Sequence, residues 1–365
     1  MISEEKMKTS HSLSFSSLPE EIAENCLARI SKYNYPLLSL VSKSFHSLLS
    51  SPKLFTTRSH IGTTETCLYI CINMPNNSSP QWFTLWMKHE ETLTNKDDTL
   101  KDFSLIPLHF LPPSPFVPPH DSTVVFGSEI YVIGGLTAPS SSVRILDCRS
   151  HTWRDAPSMT VARQNARAVL LENEIYVMGG CETNRSDNTF EVFDIKTQTW
   201  SVLPSPILDH NELQRHIAVN AVQGKIFVVV EKTEYTYEPK SGTWEVVGEE
   251  SCQIHVICVI ENVMYGYPYM GDLMWYDYEG RKWKKIKGLE KLREYLKSGW
   301  SMPKIVNYGG KIVVMWWRMT EIWCVQIALE KHVGGEIGGK IEWLNAVIKV
   351  PGLHCCLNCV ASVSI

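Results

Sequence analysis

The sequence predicts a short all-α segment followed by a larger all-β domain built from repeats, and three observations support this prediction. A seven-residue string occurs twice, as EIYVIGG from Glu129 and as EIYVMGG from Glu174. A strand, a turn with an acidic residue at its edge and a strand with tryptophan six positions after the acid occur four times in order. The first sixty residues show neither pattern and instead carry apolar residues at helical spacing.

Each copy of the seven-residue string predicts a short buried strand that ends in a turn. Residues 130–133 are β-branched or aromatic and are followed by Gly134 and Gly135. Residues 175–178 repeat the pattern and are followed by Gly179 and Gly180. Later copies, such as KIFVVV from Lys225, keep the strand and lose the glycines.

The acid and the tryptophan predict a hairpin, with the acid at the edge of the turn and the tryptophan on the returning strand. The pairs are Asp147 and Trp153, Asp194 and Trp200, Glu238 and Trp244, and Asp277 and Trp283. Adding Trp82 and Trp343 gives six candidate units, whose shorter spacings suit a four-stranded propeller blade. We expect the C-terminal strand to close the ring by pairing near residues 67–72.

These units resemble the kelch repeat, in which each repeat is one blade of a β-propeller. The resemblance implies that the glycines permit a tight turn and that each tryptophan packs between neighbouring blades. The structural residues of the repeats are then Gly134, Gly135, Asp147, Trp153, Gly179, Gly180, Asp194, Trp200, Trp244 and Trp283. The alternative is a β-sandwich core, which the recurring order of strand, glycines, acid and tryptophan disfavours.

The first sixty residues predict about three helices. Ser17 and Glu20 have the spacing of a capping box, with Pro19 in the first turn. Ile22, Cys26, Leu27 and Ile30 follow at helical spacing, and a second apolar set runs from Leu37 to Leu49. So short a segment has more apolar surface than it can cover by itself.

The sequence from Phe15 to Phe55 resembles the F-box motif. The resemblance implies binding to a Skp-type adaptor and, through the adaptor, to a cullin and a RING protein. The residues carried over for adaptor binding are Leu18, Pro19, Ile22, Leu27, Ile30, Leu40, Val41, Phe45 and Leu48. The alternative is an unrelated helical hairpin. We predict a flexible tail at 1–14, an F-box domain at 15–60 and a propeller at 64–365, with the clearest repeats at 124–168 and 169–213.

Nearly the whole chain resembles the plant F-box/kelch-repeat family. The resemblance implies a non-catalytic substrate receptor of an SCF-type ubiquitin ligase, whose propeller binds the protein to be ubiquitinated. Two alternatives stay open: a kelch scaffold with a vestigial F-box, and a metal-dependent propeller enzyme. We expect target contacts from the loops between strands, at Arg163, Gln164, Asn165, Arg167, His210, Asn211, Arg215, Tyr267 and Tyr269.

Composition and motifs give no sign of another chemistry. The net charge of −4 in 365 residues favours neither nucleic acid nor a membrane surface as partner. We expect no metal and no cofactor, since the histidines have no metal-binding spacing, and Cys356 and Cys359 have no second pair at zinc-finger distance. The start has no apolar signal segment, so we expect an intracellular protein of the cytoplasm or nucleus.

Two further stretches have more than one interpretation. The basic run RKWKKIKG from Arg281 is a nuclear signal, a site for an acidic partner or, as we favour, a solvated hairpin with Trp283 and Ile286 pointing inward. The proline-rich stretch at 105–120 is a polyproline ligand or, as we favour, a stiff connection between blades.

Overall fold

A computed structural model describes residues 15–74, 79–85, 105–108, 118, 121–181, 190–204, 217–248, 254–268, 271–297, 302–332, 334–350 and 356–365. These residues form two compact units. One ends at Glu65 and includes Ile365, and the other runs from Thr66 to Ser364. No helix among the described residues is both long and apolar enough to cross a membrane.

The first unit is helical. It contains α1 (Glu20–Ala28), α2 (Tyr35–Ser39), α3 (Lys43–Leu49) and α4 (Pro52–His60), with 3-10 turns at Phe15–Ser17 and Lys32–Asn34. Its core is a cluster of Leu27, Ala28, Tyr35, Leu49 and Leu54. The apolar spacing read from the sequence therefore places helices correctly, although the described residues form four α-helices where about three were expected.

The predicted capping box is wrong. Pro19 is the N-cap of α1, and Ser17 lies in the preceding 3-10 turn, so the helix begins two residues later than a Ser17 cap requires. Ser42 is a true cap, because its hydroxyl accepts a hydrogen bond from the backbone N–H of Phe45 at 3.2 Å. This cap divides the second apolar set into α2 and α3.

The second unit is a β-propeller of six four-stranded antiparallel sheets. Blade 1 contains β1 (Thr66–Asn73), β2 (Gln81–Leu85) and β3 (Ile106–Pro107). Blade 2 contains β4 (Thr123–Phe126), β5 (Glu129–Ile133), β6 (Val143–Asp147) and β7 (Thr152–Ala156). Blade 3 contains β8 (Arg167–Leu171), β9 (Glu174–Met178), β10 (Phe190–Asp194) and β11 (Thr199–Val202).

The remaining blades follow in the same order. Blade 4 contains β12 (Ile217–Val222), β13 (Lys225–Val230), β14 (Thr233–Glu238) and β15 (Thr243–Gly248). Blade 5 contains β16 (Ile254–Ile260), β17 (Val263–Pro268), β18 (Met274–Asp277) and β19 (Lys282–Lys285), and α5 (Glu290–Lys297) follows it. Blade 6 contains β20 (Lys304–Tyr308), β21 (Lys311–Arg318), β22 (Glu321–Lys331) and β23 (Ile337–Lys349).

The C-terminal strand closes the ring. β24 (Cys356–Ser364) pairs with β1, from Thr66 opposite Ser364 to Asn73 opposite Cys356, and becomes the inner strand of blade 1. The inner strands β4, β8, β12, β16, β20 and β24 contact one another in cyclic order. The first and last segments of the propeller therefore share one sheet, which removes two free edges.

Each glycine pair follows the second strand of its blade, and both pairs approach the loop that joins blades 2 and 3. Gly134 has φ of +71°, and the N–H of Gly135 donates to the carbonyl of Arg163 at 3.0 Å. A Cβ on Gly135 would lie 2.0 Å from the carbonyl oxygen of Ala138. The backbone approaches so closely that no side chain fits, which explains the recurrence of glycine.

The repeated tryptophans lie on outer strands and pack on the preceding blade. Trp200 packs in the cluster of blades 2 and 3, and its indole N–H donates to the carbonyl of Pro157 at 2.8 Å. Trp244 donates in the same way to Pro204 at 3.2 Å. Trp153 meets the ring of Trp82 edge-on at 5.8 Å between centroids.

Two of the six predicted marker tryptophans do not have this role. Trp82 lies on β2, the third strand of its blade, so it is a packing partner of Trp153 rather than its equivalent. Trp343 does lie on an outer strand but packs in the cluster that joins blades 6 and 1. The predicted number of blades is confirmed, although these two tryptophans were poor markers for it.

The two ambiguous stretches are partly described. Pro107 belongs to β3, the outer strand of blade 1. No strand pairs with the outer edge of β3, so a proline without an N–H is tolerated there. Most of the proline-rich stretch lies outside the described residues. In the basic run, Trp283 and Ile286 are buried, and Lys284 pairs with Asp277 at 2.8 Å, as expected for a hairpin.

Candidate interaction surfaces

A buried arginine organises the helical unit. The Arg58 guanidinium donates to the carbonyls of Ala28 at 3.0 Å and Ile30 at 2.7 Å and to the hydroxyl of Tyr35 at 3.0 Å. Its other terminal nitrogen lies 3.0 Å from Glu65 Oε2. Because one side chain ties the end of α1 to α2 and α4, the helices have a fixed arrangement beneath their exposed face.

A second buried polar contact joins α1 to α4. Glu24 accepts a hydrogen bond from the Thr57 hydroxyl and pairs with Lys53 at 3.0 Å. Burial acts to raise the pKa of Glu24, but the hydrogen bonds from Thr57 and Lys53 outweigh it and lower the pKa below its ordinary value. The carboxylate is therefore charged at neutral pH and strengthens this contact.

The helical unit leaves several large apolar side chains in solvent. Leu40 is 81% exposed, Val41 63%, Leu37 69% and Ile22 50%. Leu18 is also exposed, and Pro19 beside it is open to solvent. We call these six residues the apolar patch. An unpartnered set of this kind marks an interaction surface rather than a core.

An aromatic contact brings together the two segments that carry the patch. The rings of Phe15 and Phe45 lie 4.7 Å apart between centroids. Phe15 lies three residues before Leu18, and Phe45 lies four residues after Val41. The chain before α1 is thereby tied to the start of α3.

The other predicted adaptor-binding residues have different surroundings. Leu27 is wholly buried in the core of the helical unit, so it supports the fold and has no surface to offer a partner. Ile30, Phe45 and Leu48 are half-buried and pack against the same core. Leu37 was absent from the predicted contact residues, although its place in a continuous apolar run was a usable signal.

The described parts of the predicted target loops lie at one face of the propeller. Strand direction alternates within each antiparallel sheet, so loops that join one blade to the next lie at the same end as loops between the second and third strands. The loop from β7 to β8 contains Arg163, Gln164 and Asn165. Tyr267 is near the end of β17, just before the loop between β17 and β18. His210, Asn211, Arg215 and Tyr269 lie outside the described residues.

Within this face the predicted residues differ in exposure. Arg163 is fully buried against Glu191 and donates to the carbonyl of Gly179 at 2.8 Å, so its predicted target contact is wrong. Tyr267 is buried as well. Asn165 is exposed, and half-buried Gln164 donates to the carbonyl of Leu136 at 3.0 Å. Arg167 points toward the centre of the ring, where its Nε donates to the carbonyl of Ile217 at 2.8 Å.

Metal-binding chemistry finds no support in the part of the chain that the structure describes. No group of three or more histidine, cysteine or acidic side chains lies close enough together there to hold an ion. Cys356 and Cys359 both lie on β24, with Cys356 exposed and Cys359 buried beside Thr123.

Comparison with known proteins agrees with this two-part architecture. The family model described as "FKB95, Kelch-repeats domain" matches residues 82–348, and the F-box domain model matches residues 15–57. An F-box/kelch-repeat protein of Arabidopsis thaliana is 53% identical, over 98% of this chain and 95% of its own. A second F-box/kelch-repeat protein of Arabidopsis thaliana is 42% identical, over 95% of this chain and 93% of its own.

The fold and surfaces define a class of protein in which a small helical domain with an exposed apolar patch is joined to a kelch-type propeller. The matches place the chain within that class. It belongs to the F-box/kelch-repeat family.

Proposed function

We propose that this protein is a substrate-recognition subunit of an SCF-type ubiquitin ligase. The apolar patch docks on a Skp-type adaptor, which links the chain to a cullin and a RING protein. The propeller holds the target protein through the loop face described above. The chain contributes no catalytic group, and ubiquitin transfer is accelerated because the target is held near the charged ubiquitin carrier.

The observation that carries this proposal is the exposure of the apolar patch in a unit whose core is already complete. Leu27, Leu49 and Leu54 fill the interior, so Leu40 and Val41 are not needed to fold it. Interfaces of this kind bury apolar anchors at the centre and gain most of their energy from a few of them. The F-box match covers the same residues.

The test is capture of a purified Skp-type adaptor by the full chain and by Leu40→Asp and Ile22→Asp. Loss of one buried anchor costs about 2 kcal/mol or more, so each substitution should weaken binding by at least about thirtyfold. Val246→Asp is the matched control, because Val246 is an exposed apolar residue of the propeller. Folded variants with unchanged adaptor affinity, or no capture by the wild type, would favour a scaffold with a vestigial F-box.

A further inference from the structure

The helical unit includes a residue from a distant part of the sequence. Ile365 belongs to the same compact unit as the residues up to Glu65. The N–H of Ile365 donates to the carbonyl of Glu65 at 2.9 Å, and the N–H of Glu65 donates to the carbonyl of Ile365 at 2.9 Å. Ile365 is only 2% exposed. Both backbone groups of Glu65 are therefore held by one buried partner.

The carboxylate of Glu65 links the end of α1 to the segment that leads into α2. Its Oε2 accepts a hydrogen bond from the backbone N–H of Lys32 at 2.7 Å and lies 3.0 Å from Arg58 Nη2. Lys32 begins the 3-10 turn that comes directly before α2. Arg58 donates in turn to the carbonyls of Ala28 and Ile30, at and just after the end of α1. One carboxylate oxygen therefore acts on both helices.

Residues 63–65, which we call the strap, add further bonds at the same place. The hydroxyl of Thr63 donates to the carbonyl of Ala28 at 2.8 Å. The carbonyl of Thr63 accepts from Arg58 Nη2 at 2.5 Å, and its N–H donates to the carbonyl of Arg58 at 2.9 Å. Carbonyls at the end of a helix have no partner within the helix. At the end of α1 the strap and Arg58 provide such partners.

The two helices that the strap links also carry half of the apolar patch. Ile22 lies on α1, Leu37 lies on α2, and Leu40 directly follows α2. The spacing of these three side chains depends on how α1 is placed relative to α2. A partner binds most tightly when its anchors are already in the bound arrangement. If only a fraction of molecules has that arrangement, the apparent affinity is reduced by the same fraction.

We propose that Glu65 is a positioning residue for adaptor docking and that Ile365 holds it in place. The match to the F-box domain ends at residue 57, so the strap and Ile365 extend the adaptor-binding domain beyond it. In this role neither Glu65 nor Ile365 touches the adaptor. They order α1 and α2 before the adaptor arrives. The inference rests on the proposed function, because the adaptor is the ligand concerned.

The test measures association and dissociation rate constants of a purified Skp-type adaptor on the immobilised full chain. Glu65→Ala should weaken binding about tenfold, since Lys32 and Arg58 lose a charged acceptor. The change should appear in the association rate, because fewer free molecules are competent to bind. Glu65→Gln should stay within about threefold of wild type, since an amide oxygen also accepts hydrogen bonds. Ile365→Ser should slow association several-fold, because the apolar contacts that hold its pairing with Glu65 are lost.

Two substitutions in the propeller are matched controls. Glu342 is 23% exposed and pairs with Lys311 at 2.7 Å, whereas Glu65 is 31% exposed. Val230 is 3% exposed at the end of β13. Glu342→Ala and Val230→Ser should leave both rate constants unchanged. Hydrogen exchange of the amides in α1 and α2 should be faster in Glu65→Ala than in Glu342→Ala. Should Glu65→Ala leave the helical unit unfolded, Ile365→Ser decides by the same rates.

The outcomes separate this inference from the ligase assignment. Unchanged rates in Glu65→Ala and Ile365→Ser, beside lost binding in Leu40→Asp, would overturn the positioning role and leave the ligase assignment standing. Faster dissociation with unchanged association would place Glu65 in direct contact with the adaptor and would also overturn the positioning role. No capture of the adaptor by wild type would overturn both.

Discussion

Arg163 and Glu191 form an ion pair with no exposed surface on either side chain, at 2.8 Å between Nη2 and Oε1. Both oxygens of Glu191 are used, since Oε2 accepts from the hydroxyl of Thr160 at 2.7 Å and from its N–H at 3.0 Å. The pair thus anchors the loop between blades 2 and 3 to β10.

Arg163→Met should destabilise the propeller by about 3–5 kcal/mol, because it leaves the Glu191 carboxylate buried without its cation. Urea unfolding followed by tryptophan fluorescence measures this change for the propeller alone, since the first tryptophan of the chain is Trp82. Arg154→Met is the control. Its pair with Glu129 is partly exposed, so a loss below about 1 kcal/mol is expected. Equal losses for the two variants would contradict the anchoring role.

Substitutions at Gly180 and Gly224 separate two reasons for glycine: a left-handed backbone conformation and a lack of space for a side chain. Their φ angles are nearly equal, at +73° and +75°. A Cβ added to Gly180 would lie 2.4 Å from the carbonyl oxygen of Gln164, whereas a Cβ added to Gly224 would have no heavy atom within 4 Å. Gly224→Ala should cost about 1 kcal/mol for the left-handed conformation. Gly180→Ala should cost about 3 kcal/mol, because the steric clash adds to it. Similar unfolding midpoints in urea would show that the contact does not matter.

Arg58→Met should loosen the helical unit, because three backbone carbonyls and Glu65 each lose one of their hydrogen-bond donors. A loss of about 3–5 kcal/mol is expected for a buried charged group with several partners. Hydrogen exchange of the amides in α1 and α4, measured by mass spectrometry, should become much faster. Arg29→Met is the control, as Arg29 is exposed at the end of α1. Unchanged protection in Arg58→Met would exclude the organising role.

Among the described cysteines, the exposed thiols should react with an alkylating reagent faster than the buried thiols. Cys26 and Cys356 are exposed, while Cys71, Cys258 and Cys359 are buried. Burial raises the pKa of Cys359 to about 11 and that of Cys258 to about 12, so both are protonated at pH 8. Iodoacetamide at pH 8 should therefore label Cys26 and Cys356 in the folded protein and the buried thiols only after unfolding, as read by mass spectrometry.

The same pKa shifts predict how stability depends on pH. An unfolded thiol loses its proton near pH 8.5, whereas the folded Cys359 thiol holds it until about pH 11. The unfolded state then binds fewer protons, so the free energy of unfolding should fall as the pH rises through this window. Urea midpoints at pH 8 and pH 10 measure the change, and Cys359→Ala should reduce it.

Local patterns were sufficient to predict the repeats. Strand periodicity, the glycine pairs and the acid before each tryptophan depend on residues within a few positions, so they can be read directly. Asp194, for example, accepts hydrogen bonds from the N–H groups of Lys196 and Thr197 within the same turn. Closure by the last strand followed from the cost of an unpaired edge, and the pairing of β24 with β1 confirms it.

Errors arose where the answer depends on residues distant in sequence. Leu27 and Ile22 belong to the same set of apolar residues at helical spacing. Only the structure shows that Leu27 packs in the core with Tyr35 and Leu54, while Ile22 is exposed to solvent. Trp82 matched the repeated tryptophans by type, although its strand lies one position further inward.

The sequence by itself determined the order of the two domains, the number of blades and the strand that closes them, because these depend on periodicity, turn chemistry and the pairing of strand edges. Tertiary structure alone decided which charged residues are available for binding. Arg163 lies in the loop before β8 and Arg167 begins β8 four residues later, yet the first is fully buried against Glu191 and the second is 18% exposed and pairs with Asp121. Burial depends on which blades meet around a side chain, and no local pattern in the chain encodes that.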